Sequence, residues 1–422
     1  MFENLHKTKH LFGLAAFLAG TLSISLHFWG FGTIPNGFFC DESSIGYNSY
    51  CILKTGADEY GTRFPVFFRG FDNYHDTVMI YFLVPVIKLF GLSKWSVRLP
   101  SAFFLILASF AFYFLSFEYL RNKWLSLISS FVFSTLPWIF PVSRTNFSGY
   151  TPMLLGIIMG WYFMLKMFNK PKYHFAVISA LCWGFAMYSH NCGRPVSVAL
   201  IFCGFLSFNK RLLKIPKIIG LFTLFMIIFL SPMIFAYLNN PVCLTSRFSK
   251  ISLYSQSKDL SDFFYGLIIR YLEYFSPSFL FITGDSNLRH GTGASGVLYI
   301  FLAPLCLAGI FSSTKYLKKN PKYAFLISGL IIYPIAAVLT KDHMHSTRCI
   351  NGAPFWCLTG FCGLAWITRR FYNNPLYPST ILVLVLFASM ELFLYFNYYF
   401  GQYVHESRTW FEAPLIESII NA

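Results

Sequence analysis

The sequence predicts an all-α integral membrane protein, a multi-span bundle of about eleven transmembrane helices, and three observations carry that reading. First, the chain is 56% hydrophobic and 20% aromatic, with a mean hydropathy of +0.55. Second, only 12% of its residues are charged, about half the share of a soluble domain. Third, apolar windows of about 18–22 residues recur along it, each long enough to satisfy its own backbone as a helix in lipid.

The first window, at roughly 11–30, is long and lacks a small-residue cleavage pattern, so it reads as a retained span rather than a signal. The next windows fall near 98–118, 123–141, 148–167, 172–189, 192–208 and 215–238. The last four are near 295–314, 322–340, 350–368 and 377–398. One further apolar run, 77–91, is short for a span and contains Pro85 and Lys88. The expected organisation is one polytopic domain over 1–422: first span 1–30, acidic loop with surface helices 31–97, spans 98–238, long loop 239–294, spans 295–398 and a short outer tail 399–422. No soluble accessory domain is expected.

Charge decides the ambiguous run. If 77–91 lies on the surface, the N-terminus and the loops near 119–123, 166–173, 209–217, 315–322 and 369–370 share one side. Together they carry 17 Lys/Arg against Glu3 and Glu118. By the positive-inside rule that side is cytoplasmic. The net charge of +16 is then mostly topological and faces anionic headgroups. It calls for no nucleic acid, and no basic arm with interleaved aromatics or Gly-rich phosphate loop is present. The ten cysteines show no CxxC or zinc spacing. Cys40 and Cys51 share a loop, and the sequence leaves both a disulfide and two thiols open.

The opposite face collects the chemistry. The first loop holds Asp41, Glu42, Asp58, Glu59, Asp72 and Asp76, six of the 17 acids in the chain. Adjacent carboxylates repel when both ionise, so a membrane-proximal loop that keeps them together points to a use. The same loop adds Arg63, and a later turn puts Arg144 at a helix end. YSHNCGR brings His190 and Arg194. The long loop contributes Asp285, Asn287, Arg289 and His290, and the last turn Asp342, His343, His345 and Arg348. Acids and bases on separate loops of one face can build a single cavity for an anionic headgroup.

An ordered series of motifs runs through these loops: Asp41-Glu42 just after the first span, GADEYG, Y-x3-P-x3-LFG, SVRLPSA, WIFPVSR and GDSNLRH. From about residue 35 to 355 the chain resembles the lipid-carrier-dependent glycosyltransferases of the GT-C fold. That group includes protein O-mannosyltransferases and aminoarabinose transferases, and the likeness is to its bacterial branch. The resemblance implies an enzyme that moves a sugar from a polyprenyl or dolichyl phosphate to a lipid, glycan or protein acceptor, with inversion. It implies the extracytoplasmic face of a bacterial inner membrane, with membrane lipids as surroundings. Asp41 takes the family's catalytic position, with Glu42 beside it. Asp58, Glu59, Arg63, Asp76, Arg144, Asp285, Asn287, Arg289, His345 and Arg348 are expected to contact substrate, Arg289 and Arg348 at the donor phosphate.

Some members of that group bind a divalent metal through a loop carboxylate and a late histidine, for which Asp76 and His345 are the candidates here. The family's Glu-Lys-Pro-Pro stretch is replaced by Asp-Asn-Tyr-His-Asp, so the cofactor stays open. Structural readings stand beside the functional ones. Asp41 and Glu42 could cap a helix, Asp58 and Glu59 precede a turn, Arg144 could snorkel, and Glu391 reads as a snorkelled or paired acid within the last span. The competing class is a transporter or flippase for a lipid-linked sugar. It predicts related halves and ionisable groups inside spans, whereas the chain has no internal repeat and keeps its acids in loops.

Overall fold

The structure, a computed structural model, describes residues 2–71 and 73–420; Asp72 lies outside the described residues. Each apolar window is helical. The helices are Phe2–Phe28, Lys94–Leu120, Lys123–Thr135, Tyr150–Asn169, Tyr173–Ser189, Gly193–Ser207, Pro216–Asn239, Leu302–Tyr316, Pro321–Ile332 with Ile335–Val338, Ala353–Phe371 and Tyr377–Phe400.

Among the described residues, seven helical segments are long and apolar enough to cross a membrane. Four windows form shorter helices than their apolar runs suggest, of 13, 17, 15 and 15 residues. The shortest, Lys123–Thr135, reaches about 20 Å at about 1.5 Å per residue, against a hydrocarbon core of about 30 Å. Its end has a local cause. Leu136 precedes Pro137 and takes an extended ψ of 136°, because the proline ring disfavours helical geometry in the residue before it.

Tyr150–Asn169 and Ala353–Phe371 form the centre, most of their side chains being buried. Leu302–Tyr316 lies so close to Ala353–Phe371 that a Cβ on Gly309 would sit 1.9 Å from the Thr359 carbonyl oxygen. Small residues that let backbones approach are the usual contact between helices in lipid. The first and last long helices are peripheral and leave apolar side chains such as Phe17, Leu382 and Phe393 exposed. Glu391, within the last span, is paired: it accepts the Ile300 and Phe301 amide N–H groups at 2.5 and 3.0 Å.

The first loop is folded. It contains a helix, Cys40–Thr55, a two-stranded antiparallel hairpin of Phe68–Gly70 and Asn73–His75, and a second helix, Thr77–Phe90. Both ends of this second helix stay against the first. Ser49 donates to the Ile80 carbonyl at 2.9 Å, and a Cβ on Gly46 would lie 3.4 Å from Leu92. The helix buries Met79, Ile80, Leu83 and Ile87 on one side. Residues 77–91 therefore return to the end of the bundle from which they start. Cys40 and Cys51 are free thiols. They sit three turns apart on one helix, roughly 16 Å by helical rise, far beyond the span of a disulfide.

Candidate active site

Two buried arginines shape the chain as it leaves the first span. Arg144 donates to the carbonyls of Leu26, His27, Trp29 and Ile34 at 3.0, 2.5, 2.6 and 3.3 Å. Arg98 donates to the carbonyls of Pro35 and Gly37, both at 2.9 Å, and makes two 2.9 Å bonds to Glu42. Glu42 also accepts from the Asn146 amide at 2.9 Å and from the Phe39 amide at 3.2 Å, so it caps the Cys40–Thr55 helix while holding Arg98.

The adjacent carboxylates therefore part. Glu42 is fully buried and saturated, whereas Asp41, one position earlier on the helix, faces a cavity of about 800 Å³. The Glu42 carboxylate cannot also serve as a second catalytic group at the cavity surface, since its oxygens are engaged by Arg98 and two backbone amides.

Eight stretches of chain line the cavity among the described residues: the start of the first-loop helix, the hairpin and Asp76, Phe147–Tyr150, His190–Cys192, the amphipathic helix Val242–Ile251, Asp285–His290, Ala336–Arg348 and Trp410. The helix Val242–Ile251 docks onto the hairpin. Ser246 donates to Asn73 and Asn240 to the Tyr74 hydroxyl, each at 3.0 Å.

Of the residues expected at a site, the cavity brings together Asp41, Asp76, Asp285, Asn287, Arg289, His345 and Arg348. Asp58, Glu59, Arg63 and Arg144 do not line it. Asp58 accepts from the Tyr60 and Thr62 amides at 3.0 and 2.8 Å, closing its own turn. Glu59 takes the Asn48 amide group at 2.9 Å. Arg63 bridges to Ala57 beside that turn, and Arg144 is spent on the first-span carbonyls. Arg247, which the sequence reading passed over, lines the cavity from the docked helix. Its signal was present: a cation in an amphipathic stretch, VCLTSRFSKI, of the long loop.

Asp41 faces the cavity with a perturbed carboxyl. Burial raises its pKa above the ordinary carboxylate value, Glu412 and Glu42 add to the rise, and Arg247 and Arg289 oppose it. Arg289 is held by aromatic faces, 4.2 Å from the Phe39 ring centre and 5.6 Å from that of Trp410. It has no carboxylate partner among the described residues. Arg348 is engaged, 2.5 Å from Asp342 and 2.7 Å from the Thr340 hydroxyl. Asp76 pairs with Arg194 at 2.5 Å and accepts the Asn191 amide at 3.1 Å. Burial nevertheless pushes its pKa up. His190 is pushed down to about 3, by burial and then by Arg194, Arg348 and Arg247.

The metal-ligating side chains gather differently from the pair expected. The ligand atoms of Asp285, His290 and His345 lie within 4.8 Å of one another, while Asp76 is committed to Arg194. Burial and then the neighbouring His290 and Arg348 hold His345 well below its usual pKa, so its ring is neutral. Burial opposes ionisation of Asp285, but hydrogen bonds from His290, Asn287 and Ser346 outweigh it and leave the pKa low. A neutral imidazole beside an ionised carboxylate suits a divalent cation. The 2.9 Å His290–Asp285 bond is the kind that orients such a ligand.

The fold has solved counterparts. The chain superposes on the archaeal oligosaccharyltransferase AglB from Archaeoglobus fulgidus, solved with an inhibitory peptide and dolichol-phosphate. The TM-score is 0.60 at 13% identity, covering 94% of this chain and 56% of that one. It superposes on ArnT from Cupriavidus metallidurans bound to undecaprenyl phosphate with a TM-score of 0.52 at 13% identity, over 89% of this chain and 63% of that one. The chain has the GT-C fold. It is an integral, multi-pass membrane protein. Residues 75–235 match the family of dolichyl-phosphate-mannose-protein mannosyltransferases. No curated protein matches the chain. Within the GT-C fold, this chain spans 56% of the length of AglB, so the match covers about half of that protein.

Proposed function

We propose that this protein is a membrane glycosyltransferase. It transfers a sugar from a polyprenyl-phosphate donor to a lipid, glycan or protein acceptor, inverting the anomeric centre, at the extracytoplasmic face of a bacterial inner membrane. The observation that carries this reading is Asp41: a carboxylate with a raised pKa, facing a cavity at one end of the bundle, with Arg289 and Arg247 close enough to act on its charge.

The chemistry needs few groups. Asp41 accepts the proton of the acceptor hydroxyl as its oxygen bonds to the anomeric carbon, and the bond from that carbon to the phosphate oxygen breaks. The phosphate leaves as a stable anion, so no strong acid is required. Arg289 offers a planar fork of donors for the charge that builds there, and Arg348 lines the same cavity with a second guanidinium. A divalent cation at Asp285, His290 and His345 would supply further positive charge in the same cavity.

The matched family and the lipid phosphates bound by AglB and ArnT support a polyprenyl-phosphate donor here. A flippase reading gains nothing from the geometry, because the cavity's acids lie at one end of the helices and not midway along them. The test is transfer from a radiolabelled polyprenyl-phosphate sugar by purified protein in nanodiscs, wild type against Asp41→Asn. Equal turnover of the two would end the assignment of Asp41.

A further inference from the structure

A second cavity, of about 230 Å³, lies at the other end of the bundle. Its position follows from the helices that line it. Lys94–Leu120 starts beside Arg98 and Glu42, and its far end, Tyr119 and Leu120, forms part of this cavity roughly 32 Å from Arg98 by helical rise. Ala353–Phe371 follows the Arg348 turn and delivers Arg369 and Arg370. Leu302–Tyr316 delivers Lys315 and Tyr316.

Three cations thus line a small concave site, and among the described residues no acid lines it with them. The acid closest in sequence, Glu118, is committed elsewhere, to Arg121 at 2.8 Å and to Lys166. Arg369 gives one N–H to the Leu120 carbonyl at 3.1 Å. The other donors of its guanidinium, and all those of Arg370 and Lys315, have no hydrogen bond or ion pair among the described residues. Tyr316, Tyr323 and Trp366 complete the wall, the residue types that sit at headgroup level. Surface snorkelling would spread such cations around the helix ends; here they converge on one cavity.

We propose that this cavity binds a phosphate ester, the headgroup of an anionic lipid of the leaflet opposite the candidate active site. Basic pockets between helix ends recognise lipid phosphates through the donors left unused here, two adjacent guanidinium groups and one ammonium. The reading does not depend on the proposed transferase activity.

Native mass spectrometry of the full chain, released from detergent, tests it with short-chain phosphatidylglycerol, phosphatidylcholine and inorganic phosphate as probes. The wild type is expected to hold phosphatidylglycerol about tenfold more tightly than phosphatidylcholine. The double variant Arg369→Gln/Arg370→Gln is expected to lose that preference, with phosphatidylcholine adducts unchanged. Lys210→Gln/Lys214→Gln, on the same end but outside the cavity, should bind as wild type. Should the double variant fail to fold, Lys315→Gln is expected to weaken phosphatidylglycerol alone about threefold. Displacement of the lipid by millimolar inorganic phosphate would extend the site to the free anion, and resistance to it would assign the site to lipid. Unchanged phosphatidylglycerol binding in the variants, or an equal loss in the Lys210/Lys214 control, would overturn the proposal.

Discussion

Arg98 and Glu42 form a doubly hydrogen-bonded ion pair, both bonds 2.9 Å long, with neither side chain exposed. The pair joins the start of a long membrane helix to the start of the first-loop helix, and it holds Asp41 at the cavity. Arg98 also gathers the Pro35 and Gly37 carbonyls. Its position is braced from behind: Gly37 has a φ of +102°, and a Cβ there would sit 2.1 Å from the Phe411 carbonyl oxygen.

Breaking this pair from one side leaves a buried charge without a partner. Glu42→Gln is expected to destabilise the protein by about 3–5 kcal/mol, read as a lower thermal midpoint in detergent. The double variant Glu42→Gln/Arg98→Met should recover much of that loss, since replacing both charges removes the uncompensated one. Equal midpoints for Glu42→Gln and wild type would show that the pair contributes nothing.

Asp41 makes the opposite prediction. Its pKa is raised, so folding costs its ionised form more than its protonated form through desolvation. Asp41→Asn should therefore abolish sugar transfer while leaving the thermal midpoint unchanged or higher. Expression and donor binding should be retained.

The pH profile of wild-type transfer should report the same group. The charges that act on Asp41 are Arg247, Arg289, Glu412 and Glu42. A base with a raised pKa loses its proton-accepting form as pH falls through that value. kcat/KM should decline on an acid limb lying above the ordinary aspartate range. Replacing Arg289 by Ala removes an opposing cation and should move the limb to higher pH. An acid limb that stays put in this variant would count against Asp41 as its source.

Donor use should depend on the two cavity arginines. Arg289→Ala or Arg348→Ala is expected to weaken it by roughly 2–4 kcal/mol, the scale for losing a charged partner in a desolvated site. Lys should restore only part, because an ammonium cannot reproduce the planar fork. Kinetics with varied polyprenyl-phosphate sugar separate this from headgroup anchoring, for which Lys would restore function fully.

The side of the first loop can be read directly. Ser93 is exposed at the turn after the Thr77–Phe90 helix. Ser93→Cys, in a background with Cys40 and Cys51 replaced by Ser, should react with an impermeant thiol reagent from outside the cell. Labelling only after the membrane is opened would reverse the loop and remove the eleven-span arrangement.

The helices were legible because lipid imposes long apolar runs, and each window proved helical. Their lengths were less so. Pro137 shortens Lys123–Thr135 in a way that hydropathy does not register, because the residues beyond it remain apolar. The acidic first loop was legible as a site, but not the division of labour within it. Asp41 and Glu42 are chemically alike and adjacent. What separates them is Arg98, 56 residues on, and the Asn146 amide, 104 residues on. Asp58 and Glu59 were readable as turn residues because their partners are local. Arg144 pointed to a site by type and position, yet its bonds go to backbone carbonyls, which carry no side-chain signature.

The bonds from Arg144 to the end of the first helix also set a schedule. That helix is made before the residue that ties down its end: its window is only 6% buried, and the His27 carbonyl meets its guanidinium 117 positions later. At about 5–20 residues per second, the helix waits roughly 6–23 s before its partner exists. Until then the His27 and Trp29 carbonyls have no guanidinium to meet, and the loop that carries Asp41 has only Arg98 to hold it. A nascent chain arrested before residue 144 should present that loop to added protease, and one arrested after the following helix should not. The loop that carries Asp41 thus depends on chain made after it, and the walls from Asp285 and His345 are added later still.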